Sequence, residues 1–358
     1  MWPDRRLIDL FKTEFPIVLA PLAGVADAEL AIAAAEGGAL GSLACAMLSA
    51  EKTREQVNII RQRVSAPVNV NFFCHKPVAA DPAREATWRN RLAPYYRELG
   101  LDLNATVNAA NRAPFDTASC EVVEELKPEV VSFHFGLPEK PLLDRVKAAG
   151  CVVIASATTV KEAIWLESRG VDAVIAQGAE AGGHRGMFLT DNIGEQPGTF
   201  ALVPQIVDAV KVPVIASGGI ADGRGIAAAF ALGASGVQIG SAYLRCPESK
   251  VSALARAALA ESRDDSTVIT NVMTGRPARG VPNRVMREVG PIAAEAPAFP
   301  HAATALGPLK VAAEKLGKVD FTILWAGQAI GMSREVPAAE LTRDLARTAL
   351  ARLRQMAG

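Results

Sequence analysis

Tyrosine occurs three times in 358 residues and histidine four times, and no two of the five cysteines form a C-x-x-C pair. Cys45, Cys74, Cys120, Cys151 and Cys246 are odd in number and scattered, which excludes a disulfide framework and a zinc ribbon. Cys45 and Cys151 adjoin apolar runs and read as small core residues. Charge of either sign is missing as an excess, because 38 Lys+Arg balance 38 Asp+Glu. With no basic run either, neither nucleic acid nor an anionic membrane is an expected partner. No apolar run reaches the roughly 18 residues of a membrane span. The opening "MWPDRRLIDLFKTEFP" lacks an apolar segment between its basic residues and a cleavage site. A soluble cytoplasmic protein, monomer or homodimer, acting on a small molecule is the expectation. There is no G-x-S-x-G and no P-loop, nor a dinucleotide glycine fingerprint after the first strand. His75, His134, His184 and His301 are too far apart, and too poor in paired carboxylates, for a metal site.

What is present is a rhythm. Short apolar runs recur at 16–21, 39–45, 67–73, 129–136, 151–157, 173–178, 212–219 and 235–243. Several are continuous Val/Ile/Ala runs, the pattern of parallel strands buried on both faces. Alanine-rich helical stretches lie between them, such as "TVKEAIWLESRG" and "DGRGIAAAFALGA". Each of these opens on a capping Thr or Asp, and a glycine closes it. Eightfold alternation predicts an α/β fold, a (β/α)8 TIM barrel, with a doubly wound open sheet as the structural alternative. Two segments break the rhythm. Residues 74–116 form a decorated connection after the third strand. Residues 246–320 are too long for a loop and predict a small inserted α-rich lid domain covering the substrate. The barrel then takes residues 1–245, and 321–358 complete it.

In such a barrel, chemistry sits at the C-terminal strand ends. Small residues after the seventh and eighth strands (Gly218, Gly219, Gly240 and Ser241) suit either plain turns or backbone N–H groups around a phosphate. The carboxamides of Asn69 and Gln177 can donate and accept at once, which suits a flavin's pyrimidine edge or the capping of their own loops. His184 lies inside the glycine run "EAGGHRG" (180–186). It reads as either a turn residue or a base active near neutrality. His75 and His134, among apolar neighbours, read as hydrogen-bonded packing residues.

The stretches "PIVLAPLAG", "NVNFFCH", "SFHFG", "AQGAEAGGHRG", "PVIASGGIADG", "VQIGSAY", "TGRPARG" and "WAGQ" together resemble the nitronate monooxygenase family, and its class I bacterial members in particular. "GGH" alone is shared with flavin-dependent enoyl reductases, whereas "NFFCH" joined to "EAGGHRG" and "GRPARG" is more specific. The resemblance implies an FMN-dependent monooxygenase that oxidises alkyl nitronates, propionate 3-nitronate among them, with O2 to a carbonyl compound and nitrite. It also implies a detoxifying role. His184 is then the catalytic base. Ala23, Asn69, Gln177, Gly182, Gly183, Gly218 and Gly219 are expected to contact FMN, and Gln238, Ile239, Gly240 and Ser241 to hold its phosphate end. His134 and Lys310 are candidate substrate contacts, the lysine as a cation for an anionic nitronate. The substrate side departs from the family pattern, since Tyr95, Tyr96 and Tyr243 are the only tyrosines. An FMN-dependent NAD(P)H:quinone reductase on the same fold is the alternative, and a non-catalytic flavin-binding module the rival of another class. Glu180, Arg185, Arg276 and Arg279 have no assigned role from the sequence.

Overall fold

The computed structural model describes residues 1–105 and 112–357. Of the "NAANRAPFD" stretch, residues 108–111 therefore lie outside the described residues. In chain order the strands are β1 (Ile17–Leu19), β2 (Gly41–Ala44), β3 (Val68–Phe73), β4 (Val130–His134), β5 (Val152–Ala157), β6 (Ala173–Gln177), β7 (Gly183–His184), β8 (Val214–Ser217), β9 (Gly236–Ile239), β10 (Val268–Thr270) and β11 (Ala278–Gly280). Eight of them pair in parallel in the order β1-β9-β8-β6-β5-β4-β3-β2. The ring closes where Leu40 N donates to Ile17 O at 2.9 Å and Leu19 N to Leu40 O at 3.0 Å. This is the (β/α)8 TIM barrel, and closure eliminates the open-sheet alternative. All eight apolar runs supply its strands.

The helices between strands form for local reasons. The side chains of Asp27, Thr159 and Asp222 accept hydrogen bonds from N–H groups of the first helical turn. The closing helix Ala338–Met356 packs on Gly223–Ala231 and on Ala28–Glu36, completing the barrel wall. Among the described residues no helix is long and apolar enough to cross a membrane.

Alternation along the strands divides inside from outside. Val68, Val70 and Phe72 of β3 join the outer core beneath the helices. Asn69, Asn71 and Phe73 consequently face inward. The lower barrel interior is apolar: Val18, Leu40, Val130, Ile154, Ile175 and Ile215 form a separate cluster. Leu7 and Phe11 of the helix Arg6–Phe11 belong to that cluster and seal the N-terminal end. Each such fully buried aliphatic side chain contributes about 1.5–3 kcal/mol. Towards the C-terminal end the inward positions become polar, with Ser42, Asn69, Asn71, Ser132, His134, Ser156, Gln177, Ser217 and Gln238. A barrel that is greasy below and polar above has its chemistry at the top.

The two irregular segments meet each other. The helix Pro82–Glu98, from the first, packs on the helix Ala302–Lys315, from the second. Trp88, Leu92, Leu306, Leu309 and Phe321 share one core, and Tyr96 Oη donates to Ala305 O at 2.6 Å. The second segment is not helical throughout. Its β10 and β11 form a three-stranded antiparallel sheet with β7, in which Ala278 pairs with His184 and Arg279 with Gly183.

Candidate active site

The "EAGGHRG" run is therefore not a loose turn. It leaves the barrel at Gln177 and is captured as an edge of the small sheet. Arg185 is wholly buried, and its guanidinium donates to the carbonyls of Gly178, Ala179, Ala181, Gly182 and Gly183. Arg279 Nε reaches the Ala179 carbonyl at 2.8 Å. Burial lowers the pKa of Arg185 to about 9, so it remains a cation at neutral pH. Glu180 accepts two bonds from Thr199 N, at 3.0 and 2.8 Å, and so caps the helix Thr199–Ala209. Arg185, Arg279 and Glu180 hold the rim together, a task their sequence positions did not disclose.

Gln177 uses both ends of its carboxamide on the same run. Nε2 donates to His184 O at 3.0 Å, and Oε1 accepts from Gly186 N at 2.7 Å. His134 Nε2 donates to that same carbonyl at 3.2 Å, while its Nδ1 lies 2.6 Å from Ser156 Oγ. Since Nε2 is the donor, Ser156 donates to Nδ1, which fixes the tautomer of His134. Burial, followed by Arg276, pushes its pKa down to about 3. His134 is thus a positioning residue with both nitrogens committed to protein.

His184 itself lies in an aromatic box, with ring centroids 5.3 Å from Phe299, 5.5 Å from Trp325, 5.9 Å from Phe135 and 6.3 Å from Phe73. Its Nε2 is 2.9 Å from Thr274 Oγ1, and that hydroxyl donates to Arg276 O at 3.3 Å. A hydroxyl has one proton, so Thr274 accepts from His184 Nε2–H and the lone pair is left on Nδ1. Burial first, then Arg112, His134, Arg276 and Arg185, hold the imidazole well below its ordinary pKa. The ring is neutral at pH 7, and its Nδ1 has no hydrogen-bond partner among the described residues. Phe135 adopts a left-handed φ of 70° beside it, a strained conformation of the kind that gathers at functional sites.

The other expected positions fall into two groups. Asn69 is fully buried; its Nδ2 donates to Ser42 Oγ at 2.9 Å, and its Oδ1 has no partner among the described residues. Gln238 Oε1 is likewise unpartnered. Two acceptors turned into the polar barrel mouth suit a planar ligand that carries an imide N–H, as a flavin does. Gly183 (φ 75°) has open space where a Cβ would be. Gly182 is glycine for another reason: a Cβ would lie 2.5 Å from Gly327 N, so backbone rather than ligand fills that space. Gly218 (φ 119°) and Gly219 (φ 70°) turn after β8, and a Cβ on Gly240 would meet Ala20 at 3.2 Å. Ser241 Oγ accepts from Gly327 N at 2.8 Å, tying the loop after β9 to "WAGQ". Ala23 is half-buried in the loop after β1. Ile239 is buried in the outer core. Lys310 is not brought to the cluster. It is exposed on its helix, and its ion pair is with Glu314 at 3.9 Å.

Fold and site define a TIM-barrel enzyme with a neutral, pre-oriented histidine at a polar mouth. The nitronate monooxygenase family model matches residues 4–348. A nitronate monooxygenase of Pseudomonas aeruginosa is 42% identical over 342 residues, covering 95% of this chain and 97% of that protein. One from Paraburkholderia phytofirmans is 40% identical over 358 residues, covering 99% and 98%. Among solved structures, a nitroalkane oxidase from Streptomyces ansochromogenes superposes with a TM-score of 0.89 at 36% identity, covering 99% of this chain and all of its own. FabK from Thermotoga maritima is more distant, at 0.73 and 26%. The chain belongs to the nitronate monooxygenase family and is an oxidoreductase that acts on nitronates.

Proposed function

We propose that the protein oxidises alkyl nitronates with O2 to a carbonyl compound and nitrite, using FMN bound across the barrel mouth. Bound FMN supplies the electron-accepting chemistry that no side chain can supply. Asn69 Oδ1 and Gln238 Oε1 would accept from its pyrimidine edge, and the backbone around Gly219, Gly240 and Ser241 would hold its phosphate. The observation that carries the reading is the His184 pair of contacts: Nε2–H fixed on Thr274, Nδ1 free inside an aromatic box. A neutral Nδ1 can take the α-proton of a neutral nitroalkane. A ready-made nitronate requires no such step, and His184 then only orients it. The aromatic walls exclude water, and residues 246–320 cover the substrate. Propionate 3-nitronate is the first substrate to examine.

The test is a visible spectrum of the purified protein, followed by O2 consumption with propionate 3-nitronate, nitroethane and NADH. A flavin spectrum and nitronate-dependent uptake support the reading. Rapid anaerobic bleaching by NADH, without nitronate turnover, would establish the quinone reductase instead. His184→Asn is expected to abolish turnover of nitroethane while leaving substantial turnover of the nitronate. Equal losses on both would remove the base role.

A further inference from the structure

We propose that Arg276 is a positioning residue: it clamps the connection from β10 to β11 onto the barrel mouth and so fixes the Thr274 hydroxyl that orients His184. This rests on the role of His184 in the reading above. The clamp has two sides. On the barrel side the guanidinium carbon lies 4.1 Å from the centroid of Phe135, just past the end of β4, and Nη2 donates to Met187 O. On the connection side the Arg276 carbonyl accepts from Thr274 Oγ1 at 3.3 Å, and that hydroxyl oxygen lies 2.9 Å from His184 Nε2. One residue holds both ends. A planar guanidinium can stack on a ring and donate in its own plane at once, whereas an ammonium is a point charge without that plane.

Both barrel contacts are braced. Phe188 N and Leu189 N, directly after Met187, donate to Glu162 Oε1 at 2.6 and 3.1 Å. Thr158 N and Oγ1 donate to Glu162 Oε2 at 2.7 and 2.8 Å. That carboxylate is wholly buried, so the carbonyl Arg276 uses belongs to a segment pinned to the helix Val160–Glu167. The Phe135 ring, on a backbone with φ 70°, has its centroid 4.4 Å from His134, 5.9 Å from His184 and 6.1 Å from His75. A cation stacked on that ring is thereby brought near three imidazoles and opposes a second charge on any of them. After burial, Arg276 is the first charge to lower the pKa of His75, followed by Arg112, and of His134, followed by Arg185. On His184 it acts together with Arg112, His134 and Arg185.

Arg276→Lys and Arg276→Met separate the clamp from the charge. Lysine keeps a cation without the planar fork, and methionine keeps an apolar stem without the charge. The readout is the imidazole nitrogen NMR spectrum of the holoenzyme, which with four histidines is sparse enough to assign by single His→Gln replacements. At pH 7 the parent is expected to show His184 as one tautomer, protonated on Nε2. Both variants should show a mixture of tautomers, because the Thr274 hydroxyl is no longer held. At pH 5 His75 should be almost wholly neutral in the parent and in Arg276→Lys. In Arg276→Met it should be about half protonated, a rise of about one pKa unit. The ratio of nitroethane to ethyl nitronate turnover is expected to fall about tenfold in both variants. A His184 signal that keeps the parent's single tautomer in both variants overturns the assignment. Should Arg276→Met not fold, the same signal in Arg276→Lys decides. If the unaltered enzyme consumes neither substrate, the functional reading fails, while the tautomer signal still decides on Arg276.

Discussion

At the scale of single residues, the site depends on which nitrogen of one ring holds a proton. Thr274 is the residue that decides, since its hydroxyl is already committed to Arg276 O and can only accept from His184. Thr274→Val keeps the shape but removes that acceptor, leaving the Nε2–H buried without a partner. Turnover of nitroethane is expected to fall about 10–100-fold, with a smaller loss on the nitronate, and Thr274→Ser should restore most of it. Steady-state assays with both substrates check this, and a Val variant as active as the parent on nitroethane would show that the tautomer is set elsewhere. The sequence marked His184 through its setting among glycines. It could not mark Thr274, because its partner His184 lies 90 residues away in the chain. It also could not show that Gln177 and His134 point at the protein's own backbone. A carboxamide or an imidazole at a strand end has the same letter whether it meets a ligand or a carbonyl.

Adjacent glycines separate two demands at the scale of elements. Gly182 sits where the rim touches the 326–327 backbone, and Gly183 where the chain needs a positive φ with open space beside it. Gly182→Ala pushes a methyl into main chain that cannot step aside. It is expected to destabilise by about 1–3 kcal/mol and to displace β7 from β11. Gly183→Ala is expected to cost only about 1–2 kcal/mol of backbone strain. Urea denaturation of the two variants, with β7 followed through the flavin spectrum, compares them. A Gly182→Ala variant with native stability and spectrum would contradict the contact. The barrel strands were legible because burial on both faces writes an unmistakable apolar run. β7 was not legible, since two residues show no period. The union of the two irregular segments was hidden for a similar reason: which helix buries Trp88 and Tyr96 is a matter of tertiary packing, which no local pattern encodes.

For the whole molecule, the histidines around the mouth make acid stability a property of the site. In the unfolded chain they titrate near the ordinary value of about 6.5. In the folded protein burial brings His75 down to about 4 and His134 to about 3, and His184 lies well below 6.5. Between these limits the unfolded state binds more protons, so stability falls as pH falls. The folded state holds its full margin above about pH 7 and loses it progressively from pH 6.5 towards 4. Each fully depressed histidine adds a slope of up to about 1.4 kcal/mol per pH unit, with His75, the least deeply set by its surroundings, giving less than its full share. Below this window the loss changes hands: Asp4, Asp222 and Asp344 have lowered pKa values, and their contribution disappears as they protonate. The unfolding free energy from urea titrations at pH 8, 7, 6, 5 and 4 should therefore be flat at first and then decline. In His134→Gln, which retains a donor and an acceptor but cannot take up a proton, the decline between pH 6 and 4 should lessen by close to one proton. A parent protein equally stable at pH 7 and pH 5 would mean that these rings accept protons while folded, and would contradict the burial that holds their pKa values down.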